Sequence, residues 1–310
     1  IDSQFSKAKF IVEYNIESDK EIVRIPLLFY AKDYEGSFSV RLNDEKVTIR
    51  NVPYDKFEGT PFSGFLNAVT KDFSGEFVYF STSLNGSSYT RLNDLKYFEA
   101  TIPKGIHVIR VEYIATVWND VSEWLTEYSF RYSLSPAKYW KSFGTLDITI
   151  HQEGEKREIN TNLGIPEEKK IEKNNSWHFN HLPADLLLVS YTPDTNFLAK
   201  IFIFISPAGL FIIILVTLSV FHYRKVIKYR TNHPQKKYSG VVVTGSILVP
   251  LIAIMSFIFS FDLIDFLIGE NAGRHHGYIF IVIFYYPILF IFYWLCFWLI
   301  DRNFKRKLIR

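Results

Sequence analysis

The sequence predicts an all-β sandwich exported from the cytoplasm, followed by an α-helical membrane domain of three transmembrane helices. Three observations lead to this fold class: long uncharged runs after residue 200, strand-like runs before it, and opposite charge balances in the two parts. Residues 1–200 contain 23 Lys/Arg and 28 Asp/Glu, whereas residues 201–310 contain 12 and 4. The mean hydropathy of +0.05 is therefore an average over two unlike parts.

The exported part, residues 1–195, consists of short runs rich in Val, Ile, Tyr and Phe, a composition typical of strands. Clear runs lie at Phe10–Ile16, Phe38–Leu42, Val47–Ile49, Phe77–Phe80, Ile106–Ala115, Trp124–Leu134, Thr145–Ile150 and Leu186–Tyr191. We expect ten to twelve strands in all, which form either one large sandwich or two smaller ones in tandem. For two sandwiches, the boundary would fall between residues 52 and 75.

Turn residues separate these runs. Asn43-Asp44-Glu45 follows one predicted strand, and Asn85-Gly86 is a strong hairpin signal. Pro103-Lys104-Gly105 precedes the long alternating run and is predicted as a turn between strands.

The membrane domain, residues 196–310, contains three uncharged runs, Ile201–Phe221, Gly240–Phe261 and Gly277–Ile300. About 20 apolar residues in a helix cross the hydrocarbon core of a bilayer. Each run passes that length, so we expect one transmembrane helix in each.

Charges between these runs predict the orientation, because positively charged residues stay on the cytoplasmic side. The first loop is predicted to carry a basic cluster of Arg224, Lys225, Lys228, Arg230, Lys236 and Lys237. The tail after Ile300 is also basic, whereas the other loop is acidic. The C-terminus is therefore expected inside and the β region outside. The basic pI of 8.7 is then a topology signal, and no nucleic-acid partner is expected.

The only cysteine is Cys296, within the third predicted span, where we expect a packing role. An exported domain of this size without cysteine favours a bacterial protein of the inner membrane, its β region in the periplasm or outside the cell. Frequent Lys, Ile, Phe, Tyr and Asn also favour a bacterial source. The only methionine is Met255, so we expect that the chain was trimmed or that a leader was removed.

One candidate site lies at the outer end of the second span. Asp262 and Asp265 are three residues apart, on one helix face, and Arg274, His275 and His276 follow after a short turn. An ion-pair cluster is the favoured interpretation, and a metal or proton site is the alternative. No Asp, Glu, Lys or Arg lies within a predicted span, which argues against ion-coupled transport.

A second candidate combines aromatic and acidic residues of the exported part: Trp118, Asp120, Glu123, Trp124 and Trp140. Such a set either stacks on a sugar ring or packs in the sandwich, and packing is favoured. No nucleophile elbow, zinc-protease, phosphate-binding or dinucleotide-binding motif is present. We therefore expect neither an enzyme nor a cofactor.

The run Tyr132-Ser133-Leu134-Ser135-Pro136-Ala137-Lys138-Tyr139-Trp140, then Phe143-Gly144, Leu146 and Ile148, resembles a segment of uncharacterised bacterial envelope β-sandwich proteins. In those proteins a strand, a tryptophan turn and another strand follow each other. Val12–Ile16, Trp177, Leu182–Asp185 and Tyr191 fit the same pattern, so about half of the exported part is covered. The resemblance implies a sandwich with Trp140 as an edge anchor. That family has no known activity, so no functional residues carry over.

Two functions from different classes remain. The first is a membrane-anchored, non-enzymatic subunit of a bacterial envelope complex, whose exported sandwich docks other envelope membrane proteins. The second is a sensor or transport accessory that recognises a sugar or a peptide outside the membrane. The 18-residue basic loop and the ten-residue tail are too short for a signalling output domain, which favours the subunit.

Overall fold

The computed structural model describes residues 1–50, 52, 69–72, 75–81, 87–154, 157–164, 174–273 and 277–309. The chain forms two compact units. The β unit comprises Ile1–Asn119 and Tyr128–Thr192, and the membrane unit comprises Asp120–Glu127 and Pro193–Arg310. A β-rich region followed by three long apolar helices confirms the predicted fold class.

Fourteen strands lie in the described residues. Their bounds are β1 Lys7–Tyr30, β2 Tyr34–Leu42, β3 Glu45–Val47, β4 Ile49–Arg50, β5 Val69–Asp72, β6 Gly75–Ser81, β7 Ser87–Arg91, β8 Leu95–Thr116, β9 Trp118–Asp120, β10 Glu127–Ser133, β11 Leu146–His151, β12 Asn160–Thr161, β13 Asn174–Phe179 and β14 Leu186–Tyr191. The largest sheet has the order β1-β8-β2-β3, with β4 also paired to β8. The other sheets are β12-β14-β10-β9, β11-β13 and β5-β6-β7.

Strands β1 and β8 form a long antiparallel ribbon that bends in its middle. The register shifts between Ser18 and Ile22, where three residues of β1 lie opposite the single Lys104 of β8. Gly105, at φ 124°, takes a backbone conformation that other residues rarely adopt. The prediction of a turn between strands at Pro103-Lys104-Gly105 is therefore wrong, because a bulge and a glycine bend one continuous strand there.

The two halves of the bent ribbon pack against each other. Phe29 lies near the end of β1, opposite Lys96, yet its ring is 5.8 Å from that of Tyr113, near the other end of β8. The Ala31–Asp33 segment joins both ends of β8, because Ala31 N–H donates to the Asp94 carbonyl and Thr116 N–H donates to the Asp33 carbonyl. The two long strands β1 and β8 thus contribute to both layers around the core.

The buried core of the β unit is apolar and draws on several sheets. Its most enclosed side chains include Val40, Val111, Tyr113, Ile102 and Phe130, each no more than 2% exposed. The predicted turn at Asn43-Asp44-Glu45 is confirmed for Asn43 and Asp44, which have positive φ in a two-residue hairpin loop, whereas Glu45 already begins β3. The Asn85-Gly86 hairpin lies outside the described residues, as does most of the predicted boundary between residues 52 and 75, so one or two sandwiches stays open.

One predicted strand, Trp124–Leu134, is wrong at its start. Strand β10 begins at Glu127, and the three preceding residues belong to the membrane unit instead. They pair with a segment far along the chain, which local alternation does not reveal.

The membrane unit contains α1 Phe197–Asn232, α2 Gly240–Ile268 and α3 Tyr286–Ile309, the last preceded by a 3₁₀ helix at Ile279–Tyr285. All three are long and apolar enough to cross a bilayer. The first helix extends 11 residues beyond the C-terminal end of the predicted span 201–221, and the second extends seven beyond that of 240–261. The part of each helix that crosses the bilayer stays a prediction. An uncharged run ends at the first charged residue, but a helix continues beyond it. The third, 277–300, begins as a 3₁₀ helix and continues to Ile309.

Helix α1 is interrupted early, at Ser206, whose φ is 62°. The Ser206 hydroxyl accepts a hydrogen bond from the Gly209 N–H at 3.4 Å, and so acts as an N-cap. Pro207 then occupies the first position of the following helical segment, where its missing N–H costs nothing.

Candidate functional site: a polar seam in the membrane unit

The polar seam consists of His222 and Arg230 on α1 with Tyr293 and Asp301 on α3. On each helix the two residues are eight positions apart, so they lie on the same helix face. His222 contacts Tyr293 and Arg230 contacts Asp301, both at a separation of 71 residues in sequence. The constant offset means that α1 and α3 run in the same direction and meet along two turns. Between the two polar contacts, Val226 and Phe297 pack with Val242 of α2.

Arg230 and Asp301 form a buried, bidentate ion pair. Arg230 Nε donates to Asp301 Oδ1 and Nη2 donates to Oδ2, each at 2.6 Å. The side chains are only 2% and 8% exposed. Arg230 Nη1 also donates to the Lys236 carbonyl at 2.6 Å, and Lys305 Nζ donates to the same oxygen at 3.0 Å. A planar guanidinium that satisfies both carboxylate oxygens and a carbonyl offsets much of the cost of removing two charges from water.

His222 connects all three helices. Its Nε2 lies 3.0 Å from the Val241 carbonyl, which only accepts hydrogen bonds, so this nitrogen carries the proton. Nδ1 then accepts from the Tyr293 hydroxyl at 3.2 Å. The ring stacks on Phe297 with a centroid distance of 4.2 Å. A Cβ at Gly245 of α2 would lie 2.2 Å from His222 Nε2, so the ring needs a glycine there.

These contacts correct the predicted basic loop. Arg224, Lys225, Lys228 and Arg230 lie on α1 rather than in a loop, because the helix continues to Asn232. Arg230 is buried in the seam, whereas Lys236 and Lys237 lie in the connection to α2. Cys296 is exposed on the surface of α3, so the packing role within this chain is wrong.

The outer cluster is described only in part. Asp262 and Asp265 lie on α2, and the Asp265 carbonyl accepts from the N–H of Gly269, which ends the helix. Arg274, His275 and His276 fall outside the described residues, so the ion-pair and metal interpretations stay predictions. Within the residues that the structure describes, no group of three or more His, Cys, Asp or Glu is arranged to hold a metal ion.

The predicted aromatic and acidic residues have separate partners. In the β unit, the Arg131 guanidinium lies 4.3 Å from the Trp118 ring and forms a bidentate ion pair with Asp33. The ring of Trp140 stacks on Tyr14 at 6.3 Å.

The other three members of that predicted set belong to the membrane unit. Trp124 packs on Phe261. The Ser122 side chain, and then the Ser122 N–H, donate hydrogen bonds to the Asp120 carboxyl and lower its pKa. Glu123 is exposed, and its carbonyl lies against Gly273. The five predicted residues are thus divided between the two units, and their use as one ligand-stacking surface stays a prediction.

An aromatic cleft lies between β1, β8 and β10 of the β unit. Its volume is about 50 Å³, and Tyr14, Phe29, Tyr132, Pro136 and Trp140 are among its lining residues. The Tyr14 and Tyr132 hydroxyls are hydrogen-bonded at 2.8 Å, and burial raises the pKa of both phenols. Sites for drug-sized ligands occupy roughly 300–1,000 Å³. This cleft is the size of a side chain or a few water molecules.

A partly buried carboxylate lies where the two ends of β8 meet. Desolvation, and then the nearby charge of Asp33, raise the pKa of Asp94 to about 6. The Thr90 hydroxyl donates a hydrogen bond to Asp94 at 3.3 Å, which opposes the shift. This group titrates well above an ordinary aspartate.

The bend of the β1–β8 ribbon carries two strongly exposed isoleucines. Ile22 is 72% exposed and Ile106 is 76% exposed, and the two flank the register shift from opposite strands. Charged residues Asp19, Lys20, Glu21 and Lys104 surround them in sequence. Exposed aliphatic side chains within a polar rim are typical of surfaces that bind proteins.

The sequence analysis missed the polar seam and the ribbon bend. His222, Val226 and Arg230 are each four residues apart, a spacing that indicates one helix face. The prediction ended the span before the first charged residue and therefore did not use this spacing. Comparison of the chain with protein-family models, with curated proteins and with solved structures found no match.

Proposed function

We propose that the protein is a membrane-anchored, non-enzymatic subunit of a bacterial envelope complex, and that its exported β unit docks a partner protein. The observation that carries this proposal is the apolar bend of the β1–β8 ribbon. Ile22 and Ile106 expose 72% and 76% of their surface, more than any other large hydrophobic residue in the described part of the β unit, of which Ile11 comes next at 51%. Covering such residues with a partner removes apolar surface from water, which favours association.

The orientation of the proposed subunit follows from charge. The basic residues at the C-terminal end of α1 and α3 favour the cytoplasmic side, and this leaves the β unit in the periplasm or outside the cell. The partners are other envelope membrane proteins.

The helices also fit a subunit better than a transporter. In the most apolar 18-residue stretch of α1, only 6% is buried within the chain, and the same share is buried in α3, against 39% in α2. The remaining apolar surface is available to lipid and to helices of other subunits. The polar side chains of the seam bind each other instead of lining a path, so they support a structural role.

Affinity purification from native membranes in mild detergent tests this function. We expect the wild-type chain to retain a stoichiometric protein partner, and Ile22→Lys with Ile106→Lys to lose it. Ile11→Lys is the matched control, since Ile11 is an exposed isoleucine of the same ribbon, 51% exposed and away from the bend. Purification of the wild type alone, or equal retention by both variants, would contradict the proposal.

The aromatic cleft favours a second candidate function, a sensor or transport accessory that binds a sugar or a peptide. Tyr14, Tyr132 and Trp140 offer two hydroxyls and an aromatic face. The volume of about 50 Å³ admits one peptide side chain more readily than a sugar ring. A small ligand that stabilises the wild type but not Trp140→Ala would support this candidate.

A further inference from the structure

The segment Asp120–Glu127, which we call the clasp, belongs to the membrane unit although the chain places it between two strands of the β unit. Leu125 forms an antiparallel bridge with Ala272, in the connection between α2 and α3. Thr126 N–H donates to the Asn271 carbonyl at 2.9 Å, and Gly273 N–H donates to the Trp124 carbonyl at 2.8 Å. Backbone pairing therefore holds the clasp on the helical connection.

Gly273 makes this pairing possible. A Cβ at that position would lie 1.8 Å from the Glu123 carbonyl oxygen, a distance at which the backbones would have to separate. Thr126, 5% exposed, adds a hydrogen bond from its hydroxyl to the Ala272 carbonyl at 3.4 Å. The clasp is thus a closely fitted part of the membrane unit.

The clasp places an indole against a transmembrane helix. The Trp124 ring lies 5.5 Å from that of Phe261, which in turn contacts Phe257 one turn earlier in the apolar part of α2. Asp262 and Asp265 follow immediately, and we expect the helix to leave the hydrocarbon at their level. Tryptophan is enriched at this boundary between hydrocarbon and headgroups.

Apolar side chains around the clasp face outward at the same end of the membrane unit. Val121 is 40% exposed, Phe266 on the last turn of α2 is 82% exposed, and Tyr278 before α3 is 83% exposed. Ser122 and Glu123, next to Val121 in the clasp, are exposed polar residues, and Asp120 is half-buried. Apolar groups mixed with charged ones are typical of segments that lie in the membrane interface.

We propose that the clasp is a fourth membrane-contacting element, which inserts Val121 and Trp124 into the headgroup boundary of the outer leaflet. Its occupant is lipid, because the clasp is continuous with the apolar surface of α2 through the contact between Trp124 and Phe261. The proposal rests on the contacts of the clasp with the three-span unit and, for the choice of leaflet, on the orientation proposed above; it is independent of the docking function.

A fluorescent label at position 121 tests this contact. Val121→Cys in a Cys296→Ser background carries an environment-sensitive nitrobenzoxadiazole label, and the full chain is reconstituted in vesicles of phosphatidylcholine and phosphatidylglycerol. Ser37→Cys in the same background is the control, since Ser37 is exposed on the β unit. We expect blue-shifted emission at position 121, and quenching by a shallow spin-labelled lipid about twofold stronger than by a deep one. Emission and quenching equal to those at position 37, or stronger quenching by the deep lipid, would overturn the interfacial placement.

A second variant tests whether the backbone pairing holds the clasp in the interface. Gly273→Ala should separate the clasp from the connection, so the label at position 121 should shift toward the emission of the Ser37 control. Gly277→Ala is the matched variant, because a Cβ there meets nothing within 4 Å. An interfacial signal that Gly273→Ala leaves unchanged would overturn this part of the proposal.

Discussion

Both units contain a bidentate arginine–aspartate pair, but the two pairs have different surroundings. In the β unit, Arg131 and Asp33 are hydrogen-bonded at 2.6 and 2.8 Å, and their side chains are 17% and 21% exposed. In the membrane unit, Arg230 and Asp301 have almost the same geometry, yet they are 2% and 8% exposed. The comparison indicates that the ion pair adds to the stability of a β unit that other contacts already hold together. In the membrane unit, the same interaction is one of the main contacts between helices.

The reason is the solvent around each unit. The β unit buries Val40, Val111 and Tyr113 away from water, so the hydrophobic effect supplies most of its cohesion. In a bilayer, lipid tails are as apolar as leucine, so helices gain little by burying apolar side chains against each other. Packing and polar contacts such as the seam must then keep α1 and α3 together.

The largest expected effect comes from breaking the seam. Asp301→Ala leaves the Arg230 guanidinium buried without its carboxylate, which costs about 3–5 kcal/mol of unfolding free energy. We expect titration with sodium dodecyl sulfate to unfold the membrane unit at a much lower detergent fraction than in the wild type.

Two variants separate the loss of the pair from a general effect at this end of α3. Arg302→Ala changes the adjacent residue, whose guanidinium lies over Trp298, and should leave the transition near that of the wild type. Arg230→Met with Asp301→Leu removes both charges and should recover most of the lost stability. Equal transitions for Asp301→Ala and Arg302→Ala would contradict the role given to the seam.

The same difference explains what the sequence could predict. Uncharged runs and alternation depend on neighbouring residues, so they located the three helices and most strands. The pairing of Arg230 with Asp301 joins residues 71 apart, and the pairing of Leu125 with Ala272 joins residues 147 apart. A single sequence contains no signal for such partners. The bend at Gly105 was misread because Pro and Gly near a run indicate a change of direction without showing whether the ladder continues.

A smaller effect is expected from crowding the seam. Gly245→Ala places a methyl group 2.2 Å from His222 Nε2, so the ring must move away from the Val241 carbonyl. Overpacking and one lost hydrogen bond together cost about 2 kcal/mol. The same detergent titration measures it. Gly240→Ala is the control, because a Cβ there meets nothing within 4 Å, and a shift as large as that of Gly245→Ala would show that the ring is not the cause.

The smallest effect concerns the β unit alone and depends on pH. Because the pKa of Asp94 is about 6 in the folded chain, above the ordinary aspartate value of 3.8, the unfolded chain ionises first as pH rises. The contribution of Asp94 to the free energy of unfolding should therefore decrease between about pH 4 and pH 6 and stay lower above that range. Asp94→Asn removes the decrease. At pH 7 it should stabilise the β unit by about 1 kcal/mol, a value reduced because the carboxyl is partly exposed.

Hydrogen exchange of the β8 amides in the full chain measures this effect separately from the helices. Asp44→Asn, in the exposed turn after β2, removes an equal charge and should retain the pH dependence of the wild type, since Asp94 is still present. The exchange of the helical amides should be unchanged in both variants, because Asp94 belongs to the β unit. If the protection of the β8 amides, after correction for the intrinsic rate, differs between the wild type and Asp94→Asn by the same amount at pH 4.5 and at pH 7, desolvation of Asp94 has no cost. The β unit would then be held by its apolar core without a measurable penalty from the partly buried Asp94 carboxylate.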